Sequence, residues 1–275
     1  MTAAPAPGQP GIRLLAVHAH PDDETLATGL ALAHHCLLGD EVHVLTCTLG
    51  EEGEVIPTGL THLEGTEDLG RHRHEELDAA MAELGVHHSY LGGDRPRWRD
   101  SGMAGFPASE HPRAFAGAEV AEAAELLARQ VLAIGPDVVL TYDPQGGYGH
   151  PDHIQTHRVT VAAVGSLSPE QRPRLLTALT PRSWAEQDRR WLTEHVPSGS
   201  GVRVPAADDP YPPSVVPDEM VTHHLLAPEA VGLRDRALRH HRTQVTVHDG
   251  WFTLSNDIAA RLPSREGYAP WRFDD

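Results

Sequence analysis

The chain has 275 residues, 40% apolar and 22% charged, as expected of a globular protein rather than a disordered or membrane-embedded one. Its 39 acidic residues outweigh 22 basic ones, giving a formal charge of −17, and arginine supplies every basic side chain. That balance argues against nucleic acid, whose phosphates demand clustered cations, and points to a small-molecule partner.

Residues 1–11 are rich in Ala, Pro and Gly and have neither a basic flank nor an apolar stretch, so they read as a loose tail rather than a secretory signal. The apolar run Ile12 to Val17 predicts a strand ending at His18-Ala19-His20. Leu26, Leu30 and Leu37 then recur at helical spacing and predict a helix over 25–38. A strand over 41–48 follows, then a Gly- and Thr-containing loop, a helix over 69–84 and a strand near 88–91. A helix over 118–134 stops at Gly135-Pro136 and gives way to a strand over 137–142, and a further helix begins at Pro151. Cys36 and Cys47 lack metal-type spacing and read as buried thiols of a reducing cytoplasm, the expected compartment.

This alternation predicts an α/β fold, a mostly parallel sheet with helices on both faces, because parallel neighbours need crossover connections. A catalytic core over 12–166 is expected. Residues 167–275 read as a less regular C-terminal extension or small subdomain, with a helix near 228–242 and a strand near 251–254 between Pro-rich stretches. Ligands of such sheets bind beyond the carboxyl ends of the strands. There the first strand carries His20-Pro21-Asp22-Asp23-Glu24 instead of a Gly-rich phosphate loop, which argues against a nucleotide cofactor.

Pro21 disfavours a helical start at His20, and side chains of a non-helical stretch diverge. One of Asp22 and Asp23 can therefore bind an ion while the other faces its water; the competing reading is a simple helix N-cap. A second cluster, Asp143-Pro144-Gln145-Gly146-Gly147-Tyr148-Gly149-His150-Pro151-Asp152-His153, also follows a predicted strand. Pro151 suits the first position of a helix, which puts Asp152 and His153 in its first turn, closer to the strand end than the rival ligand His157. Two histidines and a carboxylate with an open position suit a catalytic zinc, with Asp22 as acceptor of the water's proton. Tyr148 suits donation to an oxyanion, and His150 pairing with Asp152 and protonation as charge develops.

The segments Ala19 to Glu24 and Gly149 to His153 resemble the LmbE/PIG-L family of zinc-dependent N-acetylglucosamine deacetylases. Within that family, residues 46–54, 97–103 and 142–148 resemble the actinobacterial branch that serves mycothiol biosynthesis, and the similarity runs from about Leu14 to Val164 with a weaker echo over 243–259. The resemblance implies a Rossmann-like fold and one zinc per subunit on His20, Asp23 and His153, with iron(II) as the other candidate metal. It also implies Asp22 as general base, assistance from Tyr148 and His150, and sugar contacts from Glu54, Arg73, Asp100 and Met103. Arg71 lies close enough to Arg73 to compete for that alignment. The implied substrate is 1-D-myo-inositol 2-acetamido-2-deoxy-α-D-glucopyranoside, hydrolysed to amine and acetate. Four other readings share these residues: an amidase acting on mycothiol S-conjugates, another N-acetylglucosaminyl deacetylase of the family, a non-haem iron(II) oxygenase and an inactive sugar-binding module.

Overall fold

The computed structural model describes residues 11–273, so the expected tail, Gly11 apart, lies outside the described residues. The catalytic half is built from β1 (Arg13–His18), α1 (Asp23–Ala27), α2 (Gly29–Leu38), β2 (Glu41–Thr46), α3 (Glu67–Leu84), β3 (His87–Tyr90), α4 (Val120–Ile134) and β4 (Val138–Tyr142). It continues through a single glycine-rich turn α5 (Gly146–Gly149) into α6 (Pro151–Gly165). Then come β5 (Arg174–Pro181), α7 (Arg182–His195), β6 (Val215–Val216), β7 (His223–Leu226), α8 (Val231–Leu238), β8 (Thr246–Val247), β9 (Trp251–Thr253), β10 (Ala260–Arg261) and β11 (Arg265–Pro270).

Alternation along β1 sorts its side chains between two cores. Leu14 and Ala16 face a cluster with Leu30 and Leu32 of α2, Leu77 and Met81 of α3 and Ala237 of α8. Leu15 and Val17 face the opposite one, with Leu127 and Val131 of α4 and Val159 and Ala163 of α6. The strand order β3-β2-β1-β4-β5-β11-β7 is parallel from β3 to β5 and antiparallel at β11 and β7, while β6 adds a short parallel pairing to β5. The chain moves outward from β1 through β2 to β3, then returns to place β4 on the other side of β1. The order therefore reverses between β1 and β4, which opens a crevice beyond their carboxyl ends.

The last third both extends the sheet, through β5, β7 and β11, and adds a separate three-stranded sheet β10-β9-β8. Helix α7 was not anticipated: its buried face is only Ala185 and Leu192, and its other positions are dominated by charge. The helix expected over 25–38 is broken at Thr28, whose φ of −135° is not helical. Thr28 Oγ1 meets His18 Nε2 at 2.9 Å, and the new N-terminus of α2 is capped by Glu266 of β11, which accepts from Leu30 N and Ala31 N at 2.7 and 2.9 Å. An acceptor from a strand more than 200 residues away leaves no local signature. Among the described residues no helix is long and apolar enough to cross a membrane.

Candidate metal centre and active site

The two segments flagged at the strand ends meet across the crevice. His20 Nδ1 lies 3.2 Å from Asp23 Oδ2 and 3.2 Å from His153 Nε2, and the third side of the triangle, His153 Nε2 to Asp23 Oδ2, is 3.3 Å. Donors at about 2.0–2.1 Å from a tetrahedral ion stand roughly 3.3–3.4 Å apart, so these three atoms fit one face of such a site. The remaining nitrogen of each imidazole is held from outside. His20 Nε2 lies 3.3 Å from both Asp100 Oδ1 and Asp152 Oδ2, and His153 Nδ1 is 3.2 Å from the Gly146 carbonyl. Outer hydrogen bonds of this kind fix the tautomer and aim the free nitrogen at an ion. Two overlapping donor sets also contain His20: one with His150 and His153, one with Asp100 and Asp152.

The electrostatics favour a cation at this point. Burial alone would lower the pKa of His20, but Asp100, Asp152 and Asp23 raise it well above the usual imidazole value. Burial would raise Asp23, yet His153 and His20 hold it well below the carboxylate range. Positive charge is stabilised there whether carried by protons or by a metal.

Asp22 occupies the N-cap position of α1 but makes no side-chain cap bond, so the simple capping reading does not hold. Its φ is 111°, and Asp257 is the one other non-glycine residue at positive φ among the described residues. The carboxylate turns to Arg73, whose Nη2 donates to Asp22 Oδ2 at 3.3 Å and also to the Pro21 carbonyl, while Nη1 donates to the Gly50 carbonyl at 2.6 Å. Gly50, at φ 64°, admits that guanidinium: a Cβ there would sit 2.0 Å from Arg73 Nη1. Burial pushes Asp22 up to about 7 against the pull of Arg73. Of the two arginines, Arg73 is the one turned inward; Arg71 lies on the outer face of α3, its side chain 72% exposed and paired with Asp68.

His150 caps α6: its Nδ1 accepts from Asp152 N at 3.2 Å, which leaves the proton on Nε2. Burial, with His20 and His153 nearby, lowers it to about 3, so the ring is neutral. The expected carboxylate partnership is absent. Asp152 Oδ2 instead accepts from Ser101 N at 2.8 Å and faces His20, touching His150 only through its backbone N–H. Tyr148 stands over the site with its ring centroid 5.1 Å from that of His153, and is 56% exposed. The rival ligand His157 is spent elsewhere, on the Tyr142 carbonyl at 2.9 Å and against Trp271.

Of the four expected sugar contacts, Met103 and Glu54 are exposed, whereas Arg73 and Asp100 are buried. Asp100 accepts from Gly102 N at 2.8 Å and Glu52 N at 3.2 Å besides facing His20; burial would raise it, but His20, the Gly102 N–H and His150 hold it well below the carboxylate range. Sequence reasoning missed Tyr142, which stacks on His153 at 4.2 Å and receives Ala19 N on its hydroxyl at 2.9 Å, tying the two strand ends together. It also missed Asp143, whose carboxylate accepts from Gln145 N and Gly147 N at 2.7 and 2.9 Å and shapes the glycine turn.

A family model described as PIG-L, GlcNAc-PI de-N-acetylase, matches residues 15–164, more than half of the chain. The chain belongs to this PIG-L family. Relatives include two proteins named 1D-myo-inositol 2-acetamido-2-deoxy-alpha-D-glucopyranoside deacetylase. The one from Streptomyces scabiei is 43% identical, over 97% of this chain and 88% of the relative. The one from Nocardiopsis dassonvillei is 46% identical, over 91% and 90%. Among solved structures, the A40926 pseudoaglycone deacetylase matches with a TM-score of 0.52 and 23% identity, over 85% of this chain and 82% of that one, which supports the shared fold. Like its relatives, this PIG-L chain is a hydrolytic N-deacetylase, and its buried histidine and aspartate cluster is a metal-binding group.

Proposed function

We propose that the chain deacetylates 1-D-myo-inositol 2-acetamido-2-deoxy-α-D-glucopyranoside to the free amine and acetate in mycothiol biosynthesis. Its metal is one zinc on His20, Asp23 and His153. The carrying observation is the donor triangle, three atoms 3.2–3.3 Å apart, with the buried carboxylate of Asp22 beside it. The names of relatives more than 40% identical over most of the chain support the choice of substrate. Zinc bound there supplies Lewis acidity for the acetamide carbonyl and draws the pKa of a water towards neutrality; iron(II) suits the same donors.

Asp22 accepts the proton of the attacking water as its oxygen bonds to the carbonyl carbon. The resulting oxyanion receives hydrogen bonds from the Tyr148 hydroxyl and the Nε2–H of neutral His150. The carbon–nitrogen bond then breaks as the amine takes from Asp22 the proton that came from the water, while neutral His150 gives only its Nε2–H hydrogen bond. Arg73 and Asp100 face inward, so they hold Asp22 and His20 respectively, and Asp152 shares the second task. The sugar hydroxyls are left to the exposed Glu54 and Met103.

The nearest competing substrate is a mycothiol S-conjugate, cleaved by the same chemistry at a different amide. Turnover of the inositol glycoside and of such a conjugate should be compared on zinc-loaded protein. Acetate release from the glycoside, abolished by chelation and restored by zinc, is the expected result. Preferential cleavage of the conjugate overturns the substrate, and no acetate from the glycoside overturns the deacetylase reading.

A further inference from the structure

Asp22 is held from two sides, and only one of them, Arg73 on its carboxylate, belongs to the site described above. The other begins at its backbone. Asp22 N donates to Glu24 Oε2 at 2.9 Å, and the second oxygen of Glu24 receives His241 Nε2 at 2.8 Å. Both Glu24 and His241 are fully buried. His241 comes from the turn after α8, more than 200 residues from Glu24 in sequence. That turn is itself pinned to α3, the helix that carries Arg73: Thr243 N and Oγ1 donate to the two oxygens of Glu76 at 2.9 and 2.6 Å.

We propose that Glu24 and His241 are positioning residues for the deacetylation assigned above, a strut from the C-terminal third that locks Asp22 into the backbone conformation aiming its carboxylate at the reacting water. The argument rests on conformation. A φ of 111° with ψ −33° lies outside the regions an L-residue enters freely, and such a conformation persists only where its surroundings over-determine it. An extended Asp22 would turn its N–H away from Glu24 and carry its carboxylate out of the crevice.

Glu24 can serve only as a carboxylate, since both of its partners are donors. A glutamine there keeps its oxygen for Asp22 N but turns its NH2 on His241, so that bond survives only if the imidazole moves its proton to Nδ1, which is buried without a partner. None of this chain of bonds runs through the three proposed metal-holding atoms, so losing it leaves the ion in place. Three of the four bonds on this side therefore come from His241 and Thr243, residues outside the strand ends.

The test uses full-length, zinc-loaded protein with acetate release as the assay. Glu24→Gln and His241→Leu each lower kcat by about 10- to 100-fold, with KM for the glycoside and zinc content unchanged. The double variant falls no further than the lower of the two, because both cut one connection. His241→Gln, whose side-chain N–H can reach Glu24, recovers most of the loss. If His241→Leu fails to fold, Glu24→Gln, which keeps size and shape, gives the same reading. Wild-type kcat in Glu24→Gln overturns the proposal, and so does a loss that appears equally in KM and zinc content or that His241→Gln does not relieve. Absence of acetate release by the wild type overturns the assigned function instead, so the two failures are separable.

Discussion

Asp22 and Asp23 are neighbours in the chain yet answer to different partners. Asp23 faces two imidazoles and Asp22 a guanidinium, because the positive φ of Asp22 swings consecutive side chains apart. Asp22→Asn keeps size and hydrogen bonding to Arg73 but cannot take a proton. It should retain zinc and lose about 10²- to 10⁴-fold in kcat, read by metal analysis beside acetate release; undiminished turnover would remove Asp22 as the base. The groups proposed to react are legible in the sequence as candidates because they crowd into two short segments, His20 to Asp23 and Tyr148 to His153, each after an apolar run. Their supports are not. Glu24, Arg73, Asp100 and His241 touch residues distant in sequence or a backbone atom, which leaves no local pattern to read.

At the scale of elements, the glycine turn α5 decides whether His153 reaches its partners. Gly146 has φ 64°, and a Cβ there would lie 2.7 Å from both His153 Cβ and Ile154 N. Gly146→Ala should therefore push α6 off the β4 end, weakening zinc binding about 10- to 100-fold and destabilising the fold by about 1–3 kcal/mol. Zinc competition and thermal melts check both effects. Gly147→Ala, also at positive φ (74°) but with no atom within 4 Å of the added carbon, carries the backbone strain without the clash, and it should keep zinc affinity. The parallel strands and long helices of the first half were readable from periodicity because each carries its own apolar stripe. Strands β5, β7 and β11 were not, since their pattern is completed by one another: Glu266 and Tyr268 of β11 cap α2 and fill its core from the far end of the sequence.

Across the whole molecule, the C-terminal third is joined to the catalytic half by the buried Glu24–His241 pair. Burial and its partners act in opposite directions on each member, and the partners prevail. His241, facing Glu24, Asp22 and Glu76, binds its proton more tightly when folded, and Glu24, facing His241 and the Asp22 N–H, less tightly. The His241 contribution to stability is thus complete below its unfolded value near 6.5 and lost as pH rises through the higher folded value. The Glu24 contribution is complete above about 4.5 and lost as pH falls through the lower folded value. Melting temperature of metal-free protein against pH should show both limbs, and His241→Gln should flatten the alkaline one; an unchanged alkaline limb would show that the pair is not charged in the native state.

The central claim is that one ion is held by three particular atoms among several overlapping donors. Anomalous diffraction at the zinc edge from zinc-loaded crystals addresses it directly. The account predicts a single peak in the crevice, about 2.0–2.2 Å from His20 Nδ1, Asp23 Oδ2 and His153 Nε2. A peak held by His150 in place of Asp23, or by Asp100 and Asp152 around His20 Nε2, would contradict it.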